Sequence, residues 1–457
     1  MRSALHPLVV HAKGHTPPGP RGTALGLLGA LPEVARGRLF ELLHHLWRSY
    51  GDLSAVRIGP RLMISAVHPE HITQVLVSRR ERYDKSSHRA RVLLGDGLPA
   101  SNGESWARQR RLLQPCFVAR AMPRFDAPVQ AAVAPLIARW ERIADAGGEI
   151  ELADEMTALT LDMSLRSLSD QYLTDRHASL RQAIVDTVEF VAASGQLFRL
   201  PLSLPTVRNR RFLAARAEID QFIRDAISEH RRVRSHTDLL SLILDAQAED
   251  PSGFPDELVR DEAVSLLLGA YDSTARALTW SWACLDLHRE ARARVHEEID
   301  RLGGRTPGSE DRSATPWTTA FVHEVLRLYP PFWVFPRRCI VDDELGGYAI
   351  PSGATVMISP YLTHHHPGLW AEPERFDPER FLGGAGAQRA RASAMYFGFG
   401  PRTCIGNHLA LLEVVAVIGA LAQRFELVRV GGPIVPEFGT TLRPRGGLRM
   451  QVRRRAA

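Results

Sequence analysis

The chain has 457 residues, of which 45% are hydrophobic and 24% charged, and its formal net charge is +6. This is ordinary globular composition, which excludes a disordered or fibrous chain. The excess base is almost all Arg, Lys13 and Lys85 being the only lysines, and no long basic run marks a nucleic-acid binder.

Residues 1–22 read as a Pro/Gly-rich lead-in that closes on Pro17-Pro18-Gly19-Pro20. They lack the ~18 consecutive apolar residues of a membrane span and the layout of a secretory signal. Cys116, Cys284, Cys339 and Cys404 are widely spaced, with no CxxC pair, so a reducing, cytoplasmic location is expected. Residues 40–50 predict a short helix. Residues 53–66 predict a hairpin, broken at Gly59-Pro60. From 69 to 247 the pattern is helical, with loops at 95–97, 146–148 and 201–205. Pro255, Asp256 and Glu257 then open a long helix, Pro suiting a first turn and acids suiting the dipole. Val264, Leu267, Leu268, Tyr271, Ala275, Leu278 and Trp282 recur at three- and four-residue spacing. About thirty residues pass without a breaker, which predicts a central helix crossing the molecule. A helix over 317–329 is stopped by Pro330-Pro331. Strand signals return at 347–350 and 355–359. Residues 364–401 are Gly/Pro-rich and poorly periodic, and a final helix is predicted over 404–424. The fold class is therefore mainly α with a small β-rich region. Length alone favours two or three domains, but sequential helices and short linkers favour one, over 23–457.

One segment carries chemistry: Phe397-Gly398-Phe399-Gly400-Pro401-Arg402-Thr403-Cys404-Ile405-Gly406. It is a glycine-loosened loop that delivers a cysteine at a helix start, where backbone N–H groups stabilise a thiolate. Arg402 adds positive charge and suits an anionic cofactor group. Gly400 and Gly406 have no Cβ, so a flat ring can approach the backbone. An isolated cysteine is usually buried and inert; the surrounding pattern reverses that expectation. The run His364-His365-His366 invites a metal reading, but adjacent side chains diverge and no acid or Cys completes a zinc spacing.

On these residues the chain resembles the cytochrome P-450 superfamily, in its soluble bacterial form. Phe397, Gly400, Arg402, Cys404 and Gly406 match its haem-loop signature at every position. Glu324-Val325-Leu326-Arg327 is similar to its ExxR, a structural pair completed by a later Arg, for which Arg380 is favoured over Arg375. Leu268-Gly269-Ala270-Tyr271-Asp272-Ser273-Thr274 looks like its oxygen-activating stretch, with two departures. Gly269 and Ala270 are inverted, and Ser273 stands at the usual Thr position with Thr274 next to it. Trp106 and Arg110 match its WxxxR, and Arg337 its later propionate Arg.

The resemblance spans nearly the whole chain and implies the following. Haem b lies between the long helix and the Cys404 loop, with Cys404 as the metal ligand. Trp106, Arg110, Arg337, Phe397, Gly400, Arg402 and Gly406 hold the cofactor. Asp272, Ser273 and Thr274 handle protons. O2 and NAD(P)H-derived electrons arrive through a separate ferredoxin or flavodoxin-type donor with its reductase, acidic and docked near Arg108, Arg110 and Arg111. The protein is expected to be a monomer that hydroxylates a small apolar molecule, a terpenoid first, then a sterol or fatty acid. In the family the pocket draws on five places. Here the first two offer Leu94, Leu98, Pro99 and Phe198; the long helix offers Leu268, Gly269 and Ala270. The stretch after Pro331 offers Phe332 and Val334, and a late turn Thr440. Asp272 is the only charge expected to face in. Three rivals are a peroxide-driven haem-thiolate enzyme, a non-catalytic haem sensor and a helical binder of apolar ligands without haem.

Overall fold

The computed structural model describes residues 16–20, 29–85, 88–170, 178–192, 201–233 and 238–455. Its centre is the helix Asp256–Leu287, 32 residues, or about 48 Å at 1.5 Å per residue. Nineteen of its side chains are buried, spread around the helix rather than along one stripe. That burial is what an interior helix requires, and no exposed polar face has to be provided for. Among the helices that pack on it are Leu152–Ser169, Pro316–Leu328 and the terminal Asn407–Ala422. The Thr160 hydroxyl donates to the Tyr271 carbonyl at 2.8 Å, so the first of these is tied to the long helix by a polar contact as well.

The sheets are small and pack against the helices, the Trp280 Nε1 of the long helix donating to the Leu442 carbonyl at 3.0 Å. Leu53–Ile58 and Arg61–Ala66 form the expected hairpin. It extends through Thr355–Ile358 and Phe335–Cys339 to Tyr83–Asp84, with one parallel pairing, Arg61–Ala66 on Thr355–Ile358. A three-stranded sheet joins Glu149–Glu151, Arg449–Arg454 and Phe425–Arg429. Two hairpins complete the set, Asp343–Leu345 with Tyr348–Ile350 and Pro436–Phe438 with Leu442–Pro444. The class is mainly α with small β regions, as read from the sequence. No helix among the described residues is long and apolar enough to cross a membrane.

Three local expectations are corrected. Tyr83–Asp84 and Glu149–Glu151 are strands inside the stretch read as helical; at two and three residues they are too short to show alternation. Gly384–Ser393 is a helix inside the stretch read as irregular, its Ala and Arg formers masked by two glycines. The terminal helix starts at Asn407, not at Cys404.

Candidate functional site

The cysteine loop is built by two left-handed glycines, Gly398 at φ 78° and Gly400 at φ 70°. A Cβ at Gly400 would also press on Val77 and the Leu76 carbonyl. The loop closes on itself: the Cys404 N–H donates to the Phe397 carbonyl at 2.7 Å, and the Thr403 N–H to that of Gly400 at 3.0 Å. Cys404 therefore sits three residues ahead of the helix, and its sulfur is served by the Gly406 N–H rather than by a first turn. It is exposed on one side and enclosed by protein on the others. Enclosure pushes its thiol up, while the Gly406 N–H, Arg110 and Lys85 act against that rise.

Four cations gather around this loop. Arg110 Nη1 donates to the Thr403 carbonyl at 2.8 Å. Arg402 Nη1 donates to the Ser101 carbonyl at 2.8 Å, and its guanidinium lies 4.0 Å from the centre of the Trp106 ring. Arg337 donates to the Pro336 carbonyl at 2.8 Å. Lys85 Nζ donates to the Pro99 carbonyl at 3.1 Å. None of the four forms a salt bridge among the described residues. Burial, then Arg402, Arg337 and Arg110, push Lys85 down to about 7. Burial pushes Arg337 to about 10, and Arg402 likewise, the latter aided by Arg337. Buried like charges are costly unless an anion joins them. Gly269 and Gly406 have nothing within 4 Å of where a Cβ would stand. A flat ring carrying two carboxylates fits this set: room beside two glycines, a cysteine sulfur, and cations that donate to neutral oxygens and form no salt bridge among the described residues. Lys85 was missed by the sequence reading, although it is one of only two lysines.

On the long helix, the Ser273 hydroxyl donates to the Gly269 carbonyl at 2.9 Å. Asp272 is more tightly held than expected. Its Oδ1 takes Arg276 Nη2 at 2.7 Å, and its Oδ2 takes the Thr441 hydroxyl at 2.9 Å. The one acid expected to face the pocket thus has both oxygens occupied. Thr274 is buried and its hydroxyl reaches Glu413 Oε2 at 3.4 Å. Burial pushes Glu413 up to about 8. Glu413 was also missed; its signal is that it is the only acid in the helix Asn407–Ala422.

Glu324 and Arg327 are both fully buried. Arg327 also donates to the carbonyls of His364, Pro373 and Arg375 at 2.9, 2.7 and 3.1 Å. Arg380 Nε lies 3.5 Å from Glu324 Oε1, while Arg375 offers its carbonyl and turns its side chain to Glu372. The histidine triplet disperses. His364 bridges the Arg327 carbonyl and the Met395 N–H, His365 meets the Tyr361 carbonyl, and His366 meets Asp52.

Of the expected pocket residues, Leu98 is buried, Leu94, Leu268, Ala270 and Val334 are half-buried, and Pro99, Gly269 and Thr440 are exposed. Phe332 is 48% exposed. Phe198 lies outside the described residues. Arg108 and Arg111 are exposed, Arg108 beside Asp250 at 3.7 Å.

A family model described as "Cytochrome P450" matches residues 17–449. Among similar proteins, cyclooctat-9-en-7-ol 5-monooxygenase of Streptomyces melanosporofaciens is 36% identical, over 93% of this chain and 94% of its own. Pentalenene oxygenase of Streptomyces avermitilis is 31% identical, over 87% and 90%. The crystal structure of the cytochrome P450DA heme domain superposes with a TM-score of 0.85 at 25% identity, over 96% and 98% of the two chains.

Proposed function

We propose that this chain, which belongs to the cytochrome P450 family and is a monooxygenase, hydroxylates a terpenoid, with Cys404 as the residue that would bind haem iron. The observation that carries the site reading is the set of four cations around the Cys404 loop that form no salt bridge among the described residues. When bound, haem b supplies the oxygen-activating chemistry, which thiolate ligation promotes. Arg110, Arg337, Arg402 and Lys85 would hold its propionates, guanidinium groups being suited to carboxylates. Trp106 lies under Arg402 and keeps that guanidinium in place. Ser273 holds a proton beside Gly269, and Asp272 is its supply once a contact to Arg276 or Thr441 loosens.

The substrate assignment rests on two supports. Leu94, Leu98, Leu268, Phe332 and Val334 offer hydrocarbon, and Asp272, the one charge the sequence reading expected to face in, has both oxygens occupied. Both Streptomyces relatives act on terpenoids. Electrons come from NAD(P)H through a ferredoxin or flavodoxin-type protein, which docks on the exposed Arg108 and Arg111.

Purified protein should bind haem and give the thiolate spectrum of the ferrous–CO complex. Cys404→Ser should lose that spectrum, since an alcohol cannot replace a thiolate; its retention would remove Cys404 as ligand. Absorbance titration with terpenes, sterols and fatty acids should rank terpenes first. A shift only with charged polar ligands would overturn the terpenoid reading.

A further inference from the structure

Residues 95–98 are clamped to the long helix by consecutive acids. Asp261 Oδ2 accepts from the Asp96 N–H at 2.8 Å, and Glu262 Oε1 from the Leu98 N–H at 3.0 Å. Arg260 Nη1 adds a bond to the Leu93 carbonyl at 2.9 Å. A Cβ at Gly95 would collide with the Asp261 carboxylate, and one at Gly97 with the Ser265 hydroxyl. Only glycine permits so close a seat.

The two acids differ. Asp261 is paired with Arg260 Nη1 at 2.7 Å. Glu262 is fully buried and pairs with no cation among the described residues. Its Oε2 has no hydrogen-bond partner, nor has Ser265 Oγ less than one turn on. Burial pushes the Glu262 carboxyl up to about 8, with Asp261 adding to the rise, so at pH 7 it is mostly neutral. It therefore holds the loop by a directional bond rather than by charge. The Ser101 hydroxyl donates to Gln109 Oε1 at 2.8 Å and stands 3.3 Å from the Leu98 carbonyl. The Leu98 N–H is thus fixed by a side chain, in a segment with no regular structure of its own. Glu262 and Gly269 are seven residues apart. They share one side of the helix, about 10 Å along its axis. That places the clamp on the face that carries Gly269 and Ser273.

We propose that Glu262 is a positioning residue that fixes Leu98 as a rigid wall of the substrate pocket, and so sets which terpenoids fit and how they lie. This rests on the reading of Leu98 as pocket-lining in a haem monooxygenase. Losing the acceptor leaves a buried N–H unpaired, which favours a detached loop and a wider pocket.

The test uses holoprotein with Glu262→Met, which removes the acceptor, and Glu262→Gln, which restores one. Gly97→Ala detaches the loop from the other side and stands in if Glu262→Met fails to take up haem. Amide exchange over residues 95–98 is read without substrate. Dissociation constants come from haem absorbance shifts with a panel of mono-, sesqui- and diterpene hydrocarbons and alcohols, and product ratios from turnover. Glu262→Met and Gly97→Ala should exchange faster at 95–98, bind the best terpene roughly three- to tenfold more weakly, a range set by one hydrogen bond, and spread oxidation over more positions. Glu262→Gln should stay within about twofold of wild type. Unchanged exchange and product ratios in Glu262→Met and Gly97→Ala would overturn the proposal, as would Glu262→Gln behaving like Glu262→Met. Wild-type protein with a thiolate spectrum but no shift from any terpene would instead overturn the terpenoid reading, leaving the exchange result to judge the clamp.

Discussion

Arg327 lays two N–H groups on Glu324, Nε to Oε2 at 2.7 Å and Nη2 to Oε1 at 2.8 Å, with neither side chain reached by solvent. The same guanidinium gathers three carbonyls from the segment that precedes the cysteine loop. Glu324→Ala leaves that buried cation without its counter-charge, which costs roughly 3–5 kcal/mol. Purified Glu324→Ala should carry little haem and melt well below wild type. Arg380→Ala should cost less, because its Nε is 3.5 Å from Glu324 and makes no aligned hydrogen bond. Full haem content and an unchanged melting temperature in Glu324→Ala would contradict this.

Lys85→Met should have opposite effects with and without haem. Without it, the substitution removes one of four half-buried cations that crowd one another, so the apoprotein should gain stability. With it, a propionate partner is lost, and haem should dissociate roughly tenfold faster, or about 1.4 kcal/mol. Haem transfer to apomyoglobin gives the rate, and urea unfolding of apoprotein gives the stability. Equal haem retention in Lys85→Met and wild type would remove Lys85 from the propionate set.

Stability of the holoprotein should peak near pH 6.5. Burial pushes His364 down to about 3, and His296, His323 and His365 to about 4. The unfolded chain takes up those protons below 6.5 while the folded chain does not, so stability falls as pH drops toward 4. Glu262 and Glu413, both raised to about 8, work in the other sense. Between 4.5 and 8 the folded chain keeps two protons that the unfolded chain has released, so stability falls as pH rises through that window. Below 6.5 four histidines outweigh two acids; above it the acids prevail, opposed above pH 7 by Lys85, whose amine is lowered to about 7. Urea unfolding at pH 5, 6.5 and 8 checks this, and a monotonic rise from 5 to 8 would contradict it.

The sequence made the cysteine loop legible because its glycines and cysteine sit at spacings dictated by backbone geometry. The long helix was equally plain, its apolar period running unbroken from Leu258 to Leu285. Other features depend on contacts between distant segments. Glu262 is an acid among Val259, Ala263 and Val264, and nothing in the local pattern says that Leu98 will meet it. Lys85 closes a two-residue strand and gains meaning only when Arg110, Arg337 and Arg402 arrive from three other segments. Asp272 was expected to face the pocket; Arg276, four residues on, was legible as a partner in the helix, but Thr441, which takes the second oxygen, lies 169 residues on.

The last prediction separates two adjacent hydroxyls. Ser273 and Thr274 are turned about 100° from each other on the helix, and their partners differ accordingly. Ser273 gives its proton to the Gly269 carbonyl one turn back and is only partly covered. Thr274 is buried against Glu413, on the terminal helix. Ser273→Ala should keep the terpene-induced absorbance shift and NAD(P)H consumption but divert much of the flux to hydrogen peroxide, since no hydroxyl then holds a proton beside Gly269. Ser273→Thr restores the hydroxyl with a stiffer first torsion and should leak no more than wild type. Thr274→Ala strands a buried carboxyl, costing about 1–3 kcal/mol of stability, yet should couple normally. Peroxide and product are counted against NAD(P)H in the same reaction. Ser273→Ala coupling as well as wild type, or Thr274→Ala being the variant that uncouples, would move the proton-handling role off Ser273.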